Sequence, residues 1–305
     1  MTETAMELID VKKTIGSKEV IKGLSFEIHK GEVFGFIGPN GAGKTTTIRM
    51  MVGLMGLSGG DVRILGNSIK SNFKKAIREV GAIVENPEMY PFMTGKQNLI
   101  HYARMMHGVT KERIDEVIKL VGLEKPINEK ARKYSLGMRQ RLGIAQALLH
   151  KPSVLILDEP TNGLDPAGIR EIRQYIRRLA EEENVAVIIS SHLLSEIEQM
   201  CDRIGLIKNG EMVAIQDVNA ATEQTTAVEI QMDVTPIKQA VNILRDDFDI
   251  NATANDTLTI QAEREMIPNI IETFVHHNLR VYQVTITPST LEDKFFDLIG
   301  ENTIA

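Results

Sequence analysis

The chain has 305 residues, of which 43% are hydrophobic and 25% are charged, a composition sufficient for a packed core. Its 35 Lys and Arg residues against 41 Asp and Glu give a net charge of −6, which leaves no basic footprint for nucleic acid. The longest apolar runs are strand-sized, whereas a spanning helix needs about 20 apolar residues. We therefore expect no spanning helix and no signal peptide. The single cysteine, Cys201, excludes an intrachain disulfide, which favours a cytoplasmic location.

Short apolar strands alternate with amphipathic helices over residues 1–220, a pattern that predicts an α/β domain. Strand patterns disappear at about 90–150, where helix-length segments replace them, and then return. We therefore predict a helical subdomain inserted between strands of the α/β domain. The other predicted elements are a strand at 32–37, a helix from Thr45 to Met55, and strands at 153–157 and 185–189.

The sequence changes in character after residue 220, where strand and helix patterns follow the order β-α-β-β-α-β. This is the order of ferredoxin-like domains, so we predict a small α+β accessory domain over residues 221–305. Regulation of the first domain, stabilisation of a dimer and simple padding are all consistent with this position. The predicted strands are 227–232, 248–252, 257–261 and 279–286, and the predicted helices are 236–244 and 266–275.

A glycine-rich stretch between the first predicted strand and helix matches the pattern G-x-x-x-x-G-K-[ST]. Its glycines let backbone N–H groups surround phosphate oxygens, and the dipole of the following helix favours the same negative charge. We expect Lys44 to neutralise the β- and γ-phosphates, Thr45 to bind Mg²⁺ and Thr46 to contact the α-phosphate. The residues predicted to bind a nucleoside triphosphate are Gly38, Pro39, Asn40, Gly41, Ala42, Gly43, Lys44, Thr45 and Thr46.

Two acidic residues follow the apolar strand predicted at 153–157. Because charge at the end of a buried strand is costly without a cation, we expect Asp158 to bind, through water, the Mg²⁺ on Thr45. Glu159 is the next residue and points elsewhere, so we expect it to polarise an attacking water. An Asp-Glu pair alone would fit a solvated turn, but together with the phosphate loop it predicts triphosphate hydrolysis.

A third motif, at residues 134–141, resembles the signature motif of ATP-binding cassette (ABC) ATPases. In that family a Ser and a Gly at the start of a helix donate hydrogen bonds to the γ-phosphate bound on the opposite subunit. Ser135 and Gly137 match those two positions. Leu136 replaces the usual second Gly, which is similar to the daunorubicin and peptide-antibiotic exporters.

Two further segments resemble motifs of the same family. Residues 162–165 are similar to its D-loop, which adds Asp165 to the expected nucleotide-binding residues. His192 resembles the switch histidine, which the resemblance places near the γ-phosphate and Glu159, so both are expected to be catalytic. The resemblance covers about residues 6–220 and implies a P-loop NTPase core with ATP and Mg²⁺ as cofactors.

Two positions depart from the family pattern. Ile15 occupies the position of an aromatic residue that usually stacks on adenine, so we expect weaker ATP binding and poorer discrimination against GTP. Glu85 replaces a Gln that senses Mg²⁺ and the membrane partner, and a carboxylate is still a good ligand for a hard cation. The segment 84–87 is similar to that of lantibiotic and bacitracin exporters, although Glu85 is also consistent with a tolerated variant.

The resemblance also implies partners. One phosphate loop and one signature motif meet on opposite subunits in this family, so a complete site requires a second copy in a head-to-tail dimer. Integral membrane subunits would contact the chain near residues 85–92 and at the helical subdomain and would use the energy of ATP hydrolysis. Tyr90 and Phe92 in this segment are either exposed anchors or loop-packing residues. We therefore expect a cytoplasmic protein on the inner face of the membrane that powers export of an antimicrobial peptide or similar amphiphile. An importer and a soluble, non-transport ABC ATPase are the alternatives.

Overall fold

The computed structural model of the protein describes residues 3–218, 227–245, 248, 250–252 and 257–287. Among these residues, one hydrophobic core forms within residues 5–215 and another within residues 228–284. The described residues divide into two units, one ending at Val218 and the other beginning at Ala227. In chain order, the first unit contains β1 (Thr4–Ile15), β2 (Lys18–His29), β3 (Val33–Ile37), α1 (Lys44–Met51), β4 (Gly59–Ile64), β5 (Asn67–Ser68), α2 (Phe73–Ile77), β6 (Val80–Ile83), α3 (Gly95–Ala103), α4 (Lys111–Leu120), α5 (Leu136–Ala147), β7 (Val154–Asp158), α6 (Pro166–Glu183), β8 (Ala186–Ser191), α7 (Leu194–Glu198), β9 (Arg203–Lys208) and β10 (Glu211–Asp217).

A mostly parallel sheet with the strand order β10-β9-β3-β8-β7-β6 forms the centre of this unit. β3, β7 and β8 are buried along their whole length, which explains their continuous apolar runs. The three strands are parallel neighbours, so their carboxyl ends lie at one edge of the sheet. Ile37, Asp158 and Ser191 end these strands and therefore deliver the residues that follow them to the same place.

A second, antiparallel sheet has the order β2-β1-β4-β5 and begins with a hairpin of two 12-residue strands. The predicted alternation of strands and helices is wrong for this segment, because β1 and β2 follow each other directly. One face of the hairpin packs on the core and the other is more exposed, so charged residues such as Lys12 and Glu27 interrupt its apolar pattern.

The helix after the phosphate loop is shorter than predicted. It ends at Met51 rather than Met55. Gly53 adopts a left-handed conformation with φ of 72°, and its N–H donates to the carbonyl oxygen of Met50 at 3.1 Å. A left-handed glycine at this point is a common way to terminate a helix.

The predicted helical insertion is present as α3, α4 and α5, between β6 and β7. A side-chain oxygen at the start of each helix accepts a hydrogen bond from a backbone N–H in its first turn, which stabilises the helix end. The three capping residues are Thr94, Thr110 and Ser135.

The second unit has its elements in the predicted order β-α-β-β-α-β. Its antiparallel sheet has the strand order β12-β13-β11-β14, and the core includes Ile230, Met232 and Phe274. Parts of the predicted accessory domain, at 221–226 and 288–305, lie outside the described residues. The elements are β11 (Ala227–Thr235), α8 (Ile237–Leu244), β12 (Ile250–Ala252), β13 (Thr257–Glu263), α9 (Ile267–His276) and β14 (Arg280–Thr287).

Within the described residues, none of the helices combines the length and the apolar character that crossing a bilayer requires.

Candidate active site

The phosphate loop, residues 38–45, joins the carboxyl end of β3 to the first turn of α1. A Cβ atom at Gly38 would lie 2.2 Å from the carbonyl oxygen of Ile207, so only glycine fits there. Gly43 has a φ of 112°, and a Cβ atom on it would lie 2.5 Å from the side chain of Ile21. The motif glycines are therefore required by close packing as well as by the curl of the loop.

Lys44 is 7% exposed, and its ammonium group is folded into the phosphate loop. Nζ donates to the carbonyl oxygen of Gly38 at 2.6 Å and lies 4.0 Å from Oε1 of Glu159. Burial lowers the pKa of Lys44 below its ordinary value, and the carboxylates of Glu159 and Asp158 partly oppose that shift. The loop carbonyls that Lys44 contacts carry only partial negative charges. Phosphate oxygens bound here would carry full negative charges and would pair with the ammonium group more strongly.

A buried serine connects the two acidic residues at the end of β7. Asp158 and Ser190 are paired in register across the parallel strands β7 and β8. The Ser190 hydroxyl donates to Oδ1 of Asp158 at 2.5 Å and accepts from the backbone N–H of Glu159 at 3.0 Å. Sequence reasoning assigned no role to Ser190, because pairing between strands 32 residues apart is not visible in a motif.

The Glu159 carboxylate lies between two groups predicted to contact the γ-phosphate. Its Oε2 is 2.8 Å from Nδ1 of His192, and its Oε1 is 4.0 Å from Nζ of Lys44. Glu159 has a left-handed backbone with φ of 49°, and its side chain has partners different from those of Asp158. A carboxylate with an imidazole partner at hydrogen-bond distance is compatible with the predicted role of a general base.

A cavity of about 420 Å³ lies over the phosphate loop and brings six of the predicted nucleotide-binding residues together with Glu159 and His192. Gly38, Pro39 and Ala42 belong to the same loop but lie outside the lining. Asn162 does line the cavity, although sequence reasoning placed it only in the D-loop. The lining residues are Asn40, Gly41, Gly43, Lys44, Thr45, Thr46, Glu159, Asn162 and His192.

The residues predicted to hold the metal offer oxygen atoms, which suits Mg²⁺. Thr45 brings a hydroxyl to the cavity, whereas Asp158 is not among the lining residues; its carboxylate is 3% exposed, and its Oδ1 accepts from Ser190. The described residues contain no cluster of three His, Cys, Asp or Glu side chains that would form an all-protein site. A site with few protein ligands fits Mg²⁺, which retains waters and binds phosphate oxygens.

Glu85, the third predicted metal ligand, lies outside the cavity lining. Its carboxylate forms an ion pair with Arg49 in the last turn of α1, and both side chains are substantially exposed. Thr45 and Arg49 are four residues apart and therefore lie on the same side of the helix, about one turn apart. The ion pair therefore holds Glu85 beside the helix that carries Thr45, and its role as a metal ligand stays a prediction.

Ser135, Gly137 and Asp165 also lie outside the lining of the cavity. The Ser135 hydroxyl caps α5 by accepting from the backbone N–H of Met138, and Gly137 follows in the first turn. Asp165 caps α6 by accepting from Gly168 at 2.8 Å. A single chain therefore does not bring the signature residues to its own phosphate loop.

Three exposed side chains are also singled out by the sequence: Ile15, which stands where the family usually has an aromatic residue, and the aromatic residues Tyr90 and Phe92. Ile15 ends β1 and is 51% exposed. Tyr90 and Phe92 are exposed and also contact each other edge to face, with ring centroids 5.9 Å apart. Tyr90 packs against His101 as well. The edge-to-face contact agrees with the loop-packing interpretation of this pair, and its role as an anchor for membrane subunits stays a prediction.

Comparisons with known proteins agree with this geometry. A family model described as ABC transporter matches residues 21–162. The ABC transporter ATP-binding protein YhcH of Bacillus subtilis is 52% identical, covering 98% of this chain and 97% of its own. The bacitracin transport ATP-binding protein BcrA of Bacillus licheniformis is 38% identical, covering 99% of both chains. The lantibiotic transport ATP-binding protein SrtF of Streptococcus pyogenes is 37% identical, covering 68% of this chain and 89% of its own.

Two solved structures share the fold of the first unit. One, an ATP-binding subunit of an ABC transporter, has a TM-score of 0.64 and 27% identity, covering 72% of this chain and 92% of its own. The other is a dimeric post-hydrolysis state of an ATP-binding cassette bound to ADP and Pi, with a TM-score of 0.62 and 25% identity. It covers 70% of this chain and 98% of its own. These similarities confirm the predicted α/β fold with a P-loop NTPase core.

Proposed function

Because the chain belongs to the family of ABC transporter ATP-binding proteins, we propose that it powers export of an antimicrobial peptide or similar amphiphile through separate membrane subunits. As a member of this family it binds and hydrolyses ATP. The observation that carries the proposal is its 38% identity, over nearly its full length, to a bacitracin transport ATP-binding protein. The similarity to a lantibiotic transport protein supports the same class of substrate.

The proposed hydrolysis follows from the positions of three side chains. Lys44 exchanges its contact with the Gly38 carbonyl for the β- and γ-phosphate oxygens. Glu159 accepts a proton from the attacking water, and His192 holds the Glu159 carboxylate in place through its 2.8 Å contact. Mg²⁺, held by Thr45 and Asp158, would supply charge neutralisation of the phosphates. Fixed cationic and N–H groups then stabilise the charge that develops in the transition state.

The complete site in this proposal requires a second copy of the chain. Ser135 and Gly137 lie outside the cavity of their own chain, so they remain available to a nucleotide held by a partner. The solved post-hydrolysis relative is a dimer, which supports this arrangement. Two identical composite sites would form in a closed, symmetric pair.

Mixing two inactive variants tests this composite site. Lys44→Ala disables the phosphate loop, and Ser135→Arg disables the signature motif, so each variant alone should lose hydrolysis. In a mixed dimer one site combines the intact loop of one chain with the intact signature of the other. Random pairing should restore about a quarter of wild-type activity per chain, because half the dimers are mixed and each has one good site. A mixture as inactive as its components would contradict the trans arrangement.

Separate membrane subunits complete the proposed transporter and place the chain on the cytoplasmic face of the membrane. The exposed pair Tyr90 and Phe92 is the proposed contact, since exposed aromatic residues are common anchors at interfaces. Replacing both with serine should weaken association with the membrane subunits while leaving nucleotide binding intact. Co-purification from detergent measures this association.

Resistance assays test the direction of transport. The chain and its membrane subunits are expressed in a peptide-sensitive bacterium, and the inhibitory concentration of bacitracin or a lantibiotic is measured. Export predicts a higher inhibitory concentration that disappears when Glu159→Gln is expressed at the same level. Unchanged resistance together with ATP-dependent uptake of a solute would instead establish an importer.

A further inference from the structure

We propose that the Ser190 hydroxyl is a positioning group for ATP hydrolysis, because it fixes Asp158 and Glu159 relative to each other. This inference rests on the proposed roles of those two acids in metal binding and water activation. Ser190 is fully buried in β8, directly opposite Asp158 on β7.

The direction of both hydrogen bonds is determined by their chemistry. A backbone N–H only donates, so the Glu159 N–H donates to Oγ of Ser190 over 3.0 Å. A hydroxyl has one proton, and the Ser190 proton is therefore available for the acceptor at 2.5 Å, Oδ1 of Asp158. Hydrogen bonds to an ionised carboxylate are short and about twice as strong as neutral ones.

This hydroxyl constrains the two acids in different ways. At Asp158 it holds Oδ1 and so fixes the orientation of the whole carboxylate, the proposed metal ligand. At Glu159 it holds the backbone N–H of a residue with a left-handed φ of 49°. The side chain of Glu159 can then remain between His192 and Lys44.

Loss of the hydroxyl should therefore weaken metal binding more than nucleotide binding. Groups that orient a metal ligand typically change metal affinity or activity by about 10- to 100-fold when they are removed. Lys44 donates to the carbonyl oxygen of Gly38, whereas the Ser190 hydroxyl bonds to the two acids, so the phosphate loop should still bind nucleotide when no divalent ion is present.

The neighbouring serine provides a matched control. Ser191 is also buried, but its Oγ accepts from the backbone N–H of Leu193 at 3.0 Å rather than contacting either acid. Ser191→Ala thus removes an equally buried hydroxyl one residue away. Ser190→Thr is the conservative variant, since it keeps the hydroxyl that the proposal requires.

The experiment measures Mn²⁺ binding to the full chain by electron paramagnetic resonance, with a non-hydrolysable ATP analogue. Nucleotide binding in EDTA and thermal unfolding are measured in parallel. Ser190→Ala should bind Mn²⁺ about tenfold more weakly than wild type or worse, while Ser191→Ala and Ser190→Thr stay close to wild type. Nucleotide binding in EDTA should be unchanged in all of them.

Four outcomes would overturn the proposal. Wild-type Mn²⁺ affinity in Ser190→Ala shows that the hydroxyl positions nothing. An equal loss in Ser191→Ala, or a parallel loss of EDTA nucleotide binding, shows a general structural effect. If wild type itself binds no Mn²⁺ with nucleotide, the metal site assigned to Asp158 is wrong and the inference fails with it.

Discussion

Replacing Ile15 with tyrosine should tighten nucleotide binding. Ile15 is 51% exposed at the end of β1, so the change disturbs little packing and should alter the free energy of unfolding by less than about 0.5 kcal/mol. The hairpin that carries it packs against the phosphate loop through Ile21, which contacts Gly43. Stacking of a base on an aromatic ring contributes about 1–3 kcal/mol relative to alanine. Because isoleucine already offers apolar contact, we expect about 1 kcal/mol, a roughly fivefold lower Kd.

Fluorescent nucleotide titration of the full chain measures this change for ATP and for GTP. Ile15→Leu is the matched control, since it changes the shape of the side chain without adding a ring. Wild type should hydrolyse ATP and GTP at similar rates, because no aromatic ring selects adenine at this position. An unchanged Kd in Ile15→Tyr, or strong ATP preference with micromolar affinity in wild type, would refute the reasoning.

Two further predictions concern Glu85 and His150. Glu85→Ala should raise the Mg²⁺ concentration needed for half-maximal ATP hydrolysis, whereas Glu85→Gln should not, because it keeps an oxygen ligand. Arg49→Ala breaks the same exposed ion pair, so an equal shift there would attribute the effect to the pair instead. Burial, together with the nearby positive charges of Arg113 and Arg78, lowers the pKa of His150. As the pH falls, this histidine is therefore protonated in the unfolded chain before it is protonated in the folded chain. The free energy of unfolding in urea should therefore fall below pH of about 6.5, and fall less in His150→Gln; identical pH profiles would exclude this role.

The catalytic core could be predicted from sequence because its signals are local. A strand, a glycine-rich loop and a helix follow each other at residues 33–51, and Asp158 and Glu159 directly follow an apolar strand. Each motif needs only its own neighbours along the chain to be recognised. The contact between Glu159 and His192 was expected from the family resemblance and is present at 2.8 Å.

Features that depend on pairing between distant segments could not be predicted in the same way. One face of the hairpin of β1 and β2 is more exposed and carries charged residues. These residues interrupt the apolar runs by which the strands would have been recognised in the sequence. Ser190 gains its partners only because β7 and β8 are aligned with Asp158 opposite it. The ion pair between Arg49 and Glu85 likewise joins residues 36 positions apart.

The central claim is that two chains enclose ATP and that Glu159 supplies the base for its hydrolysis. Size-exclusion chromatography with light scattering, on wild type and Glu159→Gln in Mg-ATP, tests it most directly. The account predicts that the variant loses hydrolysis, keeps nucleotide binding, and elutes at twice the 34.0 kDa mass of the chain only when ATP is present. A variant that hydrolyses ATP at the wild-type rate, or stays monomeric when saturated with Mg-ATP, would contradict the account.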